Sequence, residues 1–250
     1  MELWFLCKDK LNYHSAMQIP NSKKLSKIEA FQLLEYSRKE GYTVHYEVKK
    51  HQLILEKGDR WFFKLFLSWT VSWDNSKGIT DREDSHFALS LIRAGQAAVG
   101  YFHQGELIDH RVFRAYMVRQ KQGKSQIKHL KTKGKSRAGS RIRLAETERF
   151  FEDINQRLNF YNETYAIDKW GVSCAKTLWP YWFDSETPPP FSGKNDPVIE
   201  LPFHVSQASF EELRTAGILV NSFIAIYADQ EQPTNEDLEV NLEEDDDENW

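Results

Sequence analysis

From Arg119 to Arg143 the chain contains no Asp or Glu, while Arg119, Lys121, Lys124, Lys128, Lys131, Lys133, Lys135, Arg137, Arg141 and Arg143 all fall within that stretch. Charge this concentrated belongs on the surface, and Gly123, Gly134 and Gly139 add backbone freedom. The ordered parts on either side must therefore present the segment as a loop. Cationic side chains placed against a nucleic-acid backbone release condensed counterions, so RNA phosphate is the natural partner of such a loop. Judged on composition alone, a Gly- and Lys-rich connection is more often a solvated linker or a ribosome-binding surface than a catalytic loop.

The whole chain nevertheless carries a net charge of -4, because acid collects elsewhere. From Asp229 the sequence is almost wholly acidic and polar, ending Glu243-Glu244-Asp245-Asp246-Asp247-Glu248, a composition that predicts a disordered tail. The remainder, in a chain 40% apolar and 14% aromatic, can bury a sizeable core. Cys7 and Cys174 lie too far apart for a Cys-x-x-Cys zinc pair or a disulfide framework, which points to a reducing, cytoplasmic setting. The apolar run before Lys8 is too short for a secretory segment, and no stretch reaches the roughly 18 apolar residues of a membrane span. A soluble protein is expected.

Periodicity orders the elements. Ser26 to Glu40 has helical spacing and stops before Gly41. Tyr42 to Val48, His51 to Glu56 and Arg60 to Trp69 read as strands, with Lys57-Gly58-Asp59 turning between the last two. Asp74 to Gly78 gathers turn formers and marks a soft boundary. Phe87 to Ile92 and Ala97 to Phe102 are strands, and Glu106 to about Arg119 is a third, with Val112, Tyr116 and Val118 on one face and Arg111 and Arg119 on the other. The basic loop hangs from its end. Leu144, Phe151, Ile154, Leu158 and Tyr161 then share one face of the strongest helix. Strands are expected over Trp170 to Trp182 and Ile199 to Val205, with extended chain through Pro188-Pro189-Pro190, and a capping box at Ser209 and Glu212 opens a last helix.

The order of a strand, an Arg-x-Lys-Gln-Gly-x-x-Gln loop, Ala-Gly-Ser and an amphipathic helix resembles the Vms/ANKZF-type release-factor-like family, in a bacterial-type form. That family is related to the central domain of eukaryotic and archaeal class-one release factors. The residues carrying the resemblance are Arg119, Lys121, Gln122, Gly123 and Gln126, then Ala138, Gly139, Ser140 and Arg143, and it extends upstream through Val112 to Tyr116. Lys124 departs from the pattern, standing where a second glycine is common. The resemblance implies a mixed α/β (α+β) fold similar to ribonuclease H, peptidyl-tRNA on a stalled large ribosomal subunit as partner, release of the nascent chain, and Gln126 as the catalytic residue. The resemblance covers about 86 to 227, so the chain is expected to divide into an N-terminal α+β region at 1–80 without a counterpart in the family, a release-factor-like catalytic domain at 81–228 and the acidic tail at 229–250.

Glutamine does not titrate in a useful range, so Gln126 can only orient an attacking oxygen and donate hydrogen bonds to developing charge. Gly123, Ser125 and Gln122 would support the loop, while Arg119, Lys121, Lys124, Lys128, Lys131, Arg137, Arg141 and Arg143 would hold RNA. Two reactions are compatible with this set: water attacking the peptidyl ester, or a ribose 2′-hydroxyl attacking the adjacent phosphate near the CCA end. The resemblance favours the second. No cofactor is called for, and His86, His103, His110 and His129 match no zinc-binding spacing. Cys174 reads as a core thiol, and Trp170, Trp179, Tyr181 and Trp182 read as packing more readily than as base-stacking.

Overall fold

The computed structural model describes residues 19, 21–115, 135–192 and 198–228, the side chains of 135–144 excepted. Strands β1 (Ser22–Leu25), β2 (Thr43–Glu47), β3 (Gln52–Lys57) and β4 (Arg60–Phe66) begin the chain, and α1 (Lys27–Lys39) follows β1. A complete capping box starts α1: the Ser26 side chain accepts from the Glu29 amide, and the Glu29 carboxylate accepts from the Ser26 amide. Gly58, at φ 64°, makes the turn between β3 and β4. The turn formers at 74–78 are the tip of a hairpin between β5 (Val71–Asp74) and β6 (Gly78–Asp81), where the Asp74 carboxylate accepts from the amides of Ser76 at 2.8 Å and Lys77 at 2.9 Å.

Next come β7 (His86–Arg93), β8 (Gln96–His103) and β9 (Glu106–Arg114), antiparallel neighbours joined by tight turns at Gly95 and Gly105. Helix α2 (Lys135–Thr164) returns the chain to β10 (Lys169–Cys174), which pairs parallel with β7 and with β11 (Val198–Glu200). The central sheet thus runs β9, β8, β7, β10, β11, with the order and sense of a ribonuclease H-like sheet. Strand β7 lies deepest. Phe87, Leu89 and Leu91 face one layer while Ala88 and Ile92 face the other, so both faces must be apolar.

Helix α4 (Phe210–Val220) covers the first face through Leu213, Ala216 and Val220, together with Phe203 and Val205 of the preceding segment. Helix α2 covers the second through Phe151, Ile154, Leu158 and Tyr161, four of the five residues read from the sequence as its apolar stripe. Between β10 and β11 lies the short helix α3 (Trp179–Phe183), where a strand continuing to Trp182 was expected. Pro180 sits in its first turn, a position that needs no amide hydrogen. The expected strand from Ile199 to Val205 ends at Glu200; beyond it Leu201, Phe203 and Val205 pack as irregular chain against the core.

After α4, β12 (Phe223–Tyr227) crosses to the N-terminal sheet and inserts between β1 and β4, antiparallel to both. The order there is β1, β12, β4, β3, β2, so a strand from the far end of the chain sits inside a sheet built by its beginning. Trp69 forms the joint between the two sheets. Its ring packs edge-on against Phe87 at 5.2 Å between centroids, its amide donates to Val220 O, and its carbonyl accepts from Ser85 Oγ at 2.9 Å.

Two consequences can be measured. A Cβ on Gly171, in the middle of β10, would lie 2.4 Å from Leu89 Cδ2 and 2.7 Å from the Trp69 ring. Gly171→Ala is therefore expected to cost about 1–3 kcal/mol in urea unfolding. His51 is buried, with its ring held by Tyr46 Oη at 2.7 Å and Ser68 O at 3.1 Å. Burial first, then the charge on Lys169, lowers its pKa to about 3. Because the folded pKa lies below the unfolded value near 6.5, the stabilisation is complete above pH 6.5 and is lost as pH falls toward 3, by up to about 1.4 kcal/mol per unit. His51→Asn, which tolerates the residue's φ of 51°, should flatten that part of the stability profile.

Candidate functional site

The site is built on the ends of two elements. Strand β9 leaves the central sheet at Arg114, opposite Gln96, and the Ala115 amide donates to Gly95 O at 2.9 Å, pinning the strand end to the β7–β8 turn. The chain is next described at Lys135, where α2 begins. Arg119, Lys121, Gln122, Gly123, Lys124, Ser125, Gln126, Lys128 and Lys131 lie outside the described residues. Arg137, Arg141 and Arg143 lie in the opening turns of α2, with side chains outside the description. The last part of the basic run, including Ala138-Gly139-Ser140, is thus helix where loop was expected, since Lys, Arg and Ala favour helix strongly enough to absorb one glycine costing about 1 kcal/mol. No acid occupies its first turn, so the helix's positive pole adds to the arginines.

Strand β9 departs from the expected alternation. Its register shifts at Tyr101 and Phe102, which pair with Asp109 and Leu107 and leave Ile108 as the extra residue. In a regular strand Leu107 and Phe113 would share a face. Here Leu107 packs toward α4 and Phe113 toward α2. Arg111 consequently shares the α2 side, its guanidinium 5.2 Å from the Phe113 ring, and Val112 turns outward. Arg111 and Arg114 are exposed and extend the basic segment onto ordered strand.

A charge pair ties the two supports together. The Arg157 guanidinium on α2 donates to the Asp109 carboxylate on β9 and lies 4.8 Å from the Phe160 ring and 4.9 Å from that of Tyr161. Burial alone would lower the Arg157 pKa; its contacts with Tyr161 and Asp109 outweigh that and raise it. Asn155 performs the corresponding task on the far side of α2. Its amide donates to Trp182 O at 2.9 Å, Thr187 O at 2.8 Å and Ser185 Oγ at 2.9 Å, and its carbonyl accepts from Trp182 Nε1 at 2.7 Å. Trp170 and Trp182 are buried in the α2 layer, so neither offers a face to a base.

At the pole where the loop attaches, Arg93 is spent on backbone. It donates to Val205 O at 2.8 Å, Ser173 O at 3.0 Å and Ile92 O at 2.8 Å. Burial pushes the thiol of neighbouring Cys174 up to about 12 against the pull of Arg93, which disfavours its thiolate form. A groove of about 720 Å³ beside α2 is bordered by Glu148, Glu152, Asp184 and Glu186 against Arg149. Its sign repels phosphate.

The edge strand β9 and the covering helix α2 of the central sheet thus flank the acid-free basic segment along the chain. The model of the Bacteroidetes VLRF1 release factor family matches residues 87–223, more than half of the chain, and the chain belongs to that family. Among solved structures, the "Vms1 mitochondrial localization core" aligns over 85% of this chain and 86% of its own, at 10% identity and a TM-score of 0.42. No curated protein matches the sequence. Among the described residues no helix is long and apolar enough to cross a membrane.

Breaking the Asp109–Arg157 contact should loosen the two supports from one another. Asp109→Ala is expected to lower unfolding free energy by roughly 1–3 kcal/mol, because it leaves a half-buried guanidinium without its acceptor. Urea denaturation of the two single variants and the double variant measures the coupling between them.

Proposed function

We propose that the protein frees nascent chains by cleaving peptidyl-tRNA on stalled large ribosomal subunits, cutting the tRNA near its CCA end with Gln126 at the centre. The observation that carries this reading is the family match over residues 87–223, which encloses the whole basic segment and the Gln-containing motif.

In the proposed step a ribose 2′-oxygen attacks the adjacent phosphorus, a P–O2′ bond forms, and the P–O5′ bond breaks. The 2′-hydroxyl proton ends on the departing 5′-oxygen, leaving a cyclic phosphate on one product and a 5′-hydroxyl on the other. The Gln126 carboxamide orients the nucleophile and donates hydrogen bonds to the phosphorane oxygens. Lys121, Lys124, Lys128 and Arg143 neutralise the backbone around it, with Arg119, Lys131, Arg137 and Arg141 extending the grip. Gly123 admits close backbone approach, and Gln122 and Ser125 hold the loop's shape. Arg111 and Arg114, exposed on opposite faces of β9, add two cations just ahead of the basic segment in the chain. The setting of this work is the cytoplasm.

The alternative is a ribosome-binding factor that uses the same basic segment without chemistry. Incubating large subunits carrying end-labelled peptidyl-tRNA with wild type and Gln126→Ala separates the two. A shortened tRNA, with the CCA remnant left on the peptide and the rate reduced roughly 10²–10³-fold in the variant, is expected. Free peptide beside full-length tRNA would mean ester hydrolysis instead. Absence of both products on a verified substrate would leave the binding factor.

A further inference from the structure

At the opposite pole of the central sheet, the start of β7 meets the end of β8, and His86 pairs directly with His103 across the antiparallel register. Their rings stack 4.6 Å apart at 16°. Asp84, in the short link from β6 to β7, places Oδ1 2.8 Å from His86 Nε2 and 2.7 Å from His103 Nε2. One candidate ligand atom from each of the three residues lies within 4.8 Å of the others.

We propose that Asp84, His86 and His103 bind one divalent transition-metal ion of the zinc class, independently of the chemistry assigned to the basic segment. Two imidazole nitrogens and one carboxylate oxygen form a ligand set suited to zinc, cobalt or nickel, with solvent completing the shell. As the site stands, a single carboxylate oxygen must accept from both Nε2 atoms, which requires a proton on each. A cation takes the place of both Nε2 protons, which move to the Nδ1 atoms so that each imidazole stays neutral and His86 Nδ1–H donates to Tyr101 Oη, and it serves all three groups together. Binding asks for a small turn of the more exposed His103 ring about χ2, a soft torsion.

The surroundings resemble those of a metal site. His86 Nδ1 lies 2.7 Å from Tyr101 Oη, the outer hydrogen bond that orients a ligating imidazole and fixes its tautomer. Tyr101 is itself stacked on Tyr165 at 3.7 Å. Arg82, two residues before Asp84, is paired with Asp168 at 2.7 Å, and Asp168 also accepts from the His86 amide at 2.9 Å. The link bearing Asp84 is held to the β8 turn: the Gln104 amide donates to Ser85 O at 2.9 Å, and its side chain donates to Arg82 O at 3.3 Å and to Glu83 O. An ion here would fasten the link between the two sheets to the hairpin, roughly 23 Å along β8 from the end that carries the basic segment. Its work is therefore to brace the fold. Spacing in the sequence hides the site, because only strand register brings His103 to His86.

The test is titration of the full chain, stripped with a chelator, using Zn²⁺ and Co²⁺ salts, followed by calorimetry, visible absorption and thermal unfolding. One ion per chain, cobalt bands of low coordination number and a raised Tm are expected. His103→Ala and Asp84→Ala alter exposed side chains and should each weaken binding roughly 10-fold or more, and Tyr101→Phe should weaken it to a smaller degree. Absence of binding, or binding unchanged by His103→Ala and Asp84→Ala, would overturn the proposal, the second result assigning the ion to other residues.

Discussion

Burial of β7 on both faces is the constraint on which the rest depends. Phe87, Leu89 and Leu91 can leave water only under α4 and its preceding segment, and Ala88 and Ile92 only under α2. A strand covered twice must also be paired on both edges, by β8 antiparallel and by β10 parallel. The parallel partner requires a long crossover. Helix α2 supplies that crossover, and the basic segment occupies the connection that precedes it and its opening turns. The position of the site thus follows from the need to return the chain to β10.

The same burial explains why the N-terminal sheet is not an independent appendage. Trp69 enters the α4-side core against Phe87, and β12, arriving directly from α4, fills the gap between β1 and β4. Gly171 and Gly217 mark where these layers press closest: a Cβ at the first would meet Leu89 and Trp69, and at the second Phe102, each within 3 Å. Backbone contact of that kind registers the layers with little tolerance for slippage.

Much of this was legible in the sequence wherever one period dominated. Strands β2, β3, β4, β7 and β8 alternate or run apolar as their burial requires, and the face of α2 through Phe151, Ile154, Leu158 and Tyr161 was plain. Legibility failed where a tertiary event changed the period. The register shift in β9 moves Phe113 to the opposite face from Leu107, an event without local signature. β12 was missed because Phe223 to Tyr227 is a short apolar run following directly on a helix, and only its partners β1 and β4 make it a strand. Trp179 to Phe183 has strand-like composition but follows Leu178 into a helical turn, with Pro180 supplying the first-turn geometry. The family motif, by contrast, was readable because it is a linear pattern of residues.

The proposed chemistry places an unusual demand on this frame. A glutamine contributes no proton transfer of its own, so any acceleration must come from holding atoms and dipoles in position. Precision of that kind has to be inherited from the supports of the loop. Among the described residues, Ala115 is pinned to Gly95, Arg157 ties α2 to β9 through Asp109, and Asn155 fixes α2 to Trp182 of α3 and to Ser185 and Thr187 just beyond it. Each of these contacts joins two elements that flank the basic segment or brace its helix. Cations brought to RNA by long, mobile side chains can afford imprecision, whereas an amide that must meet a phosphorane cannot.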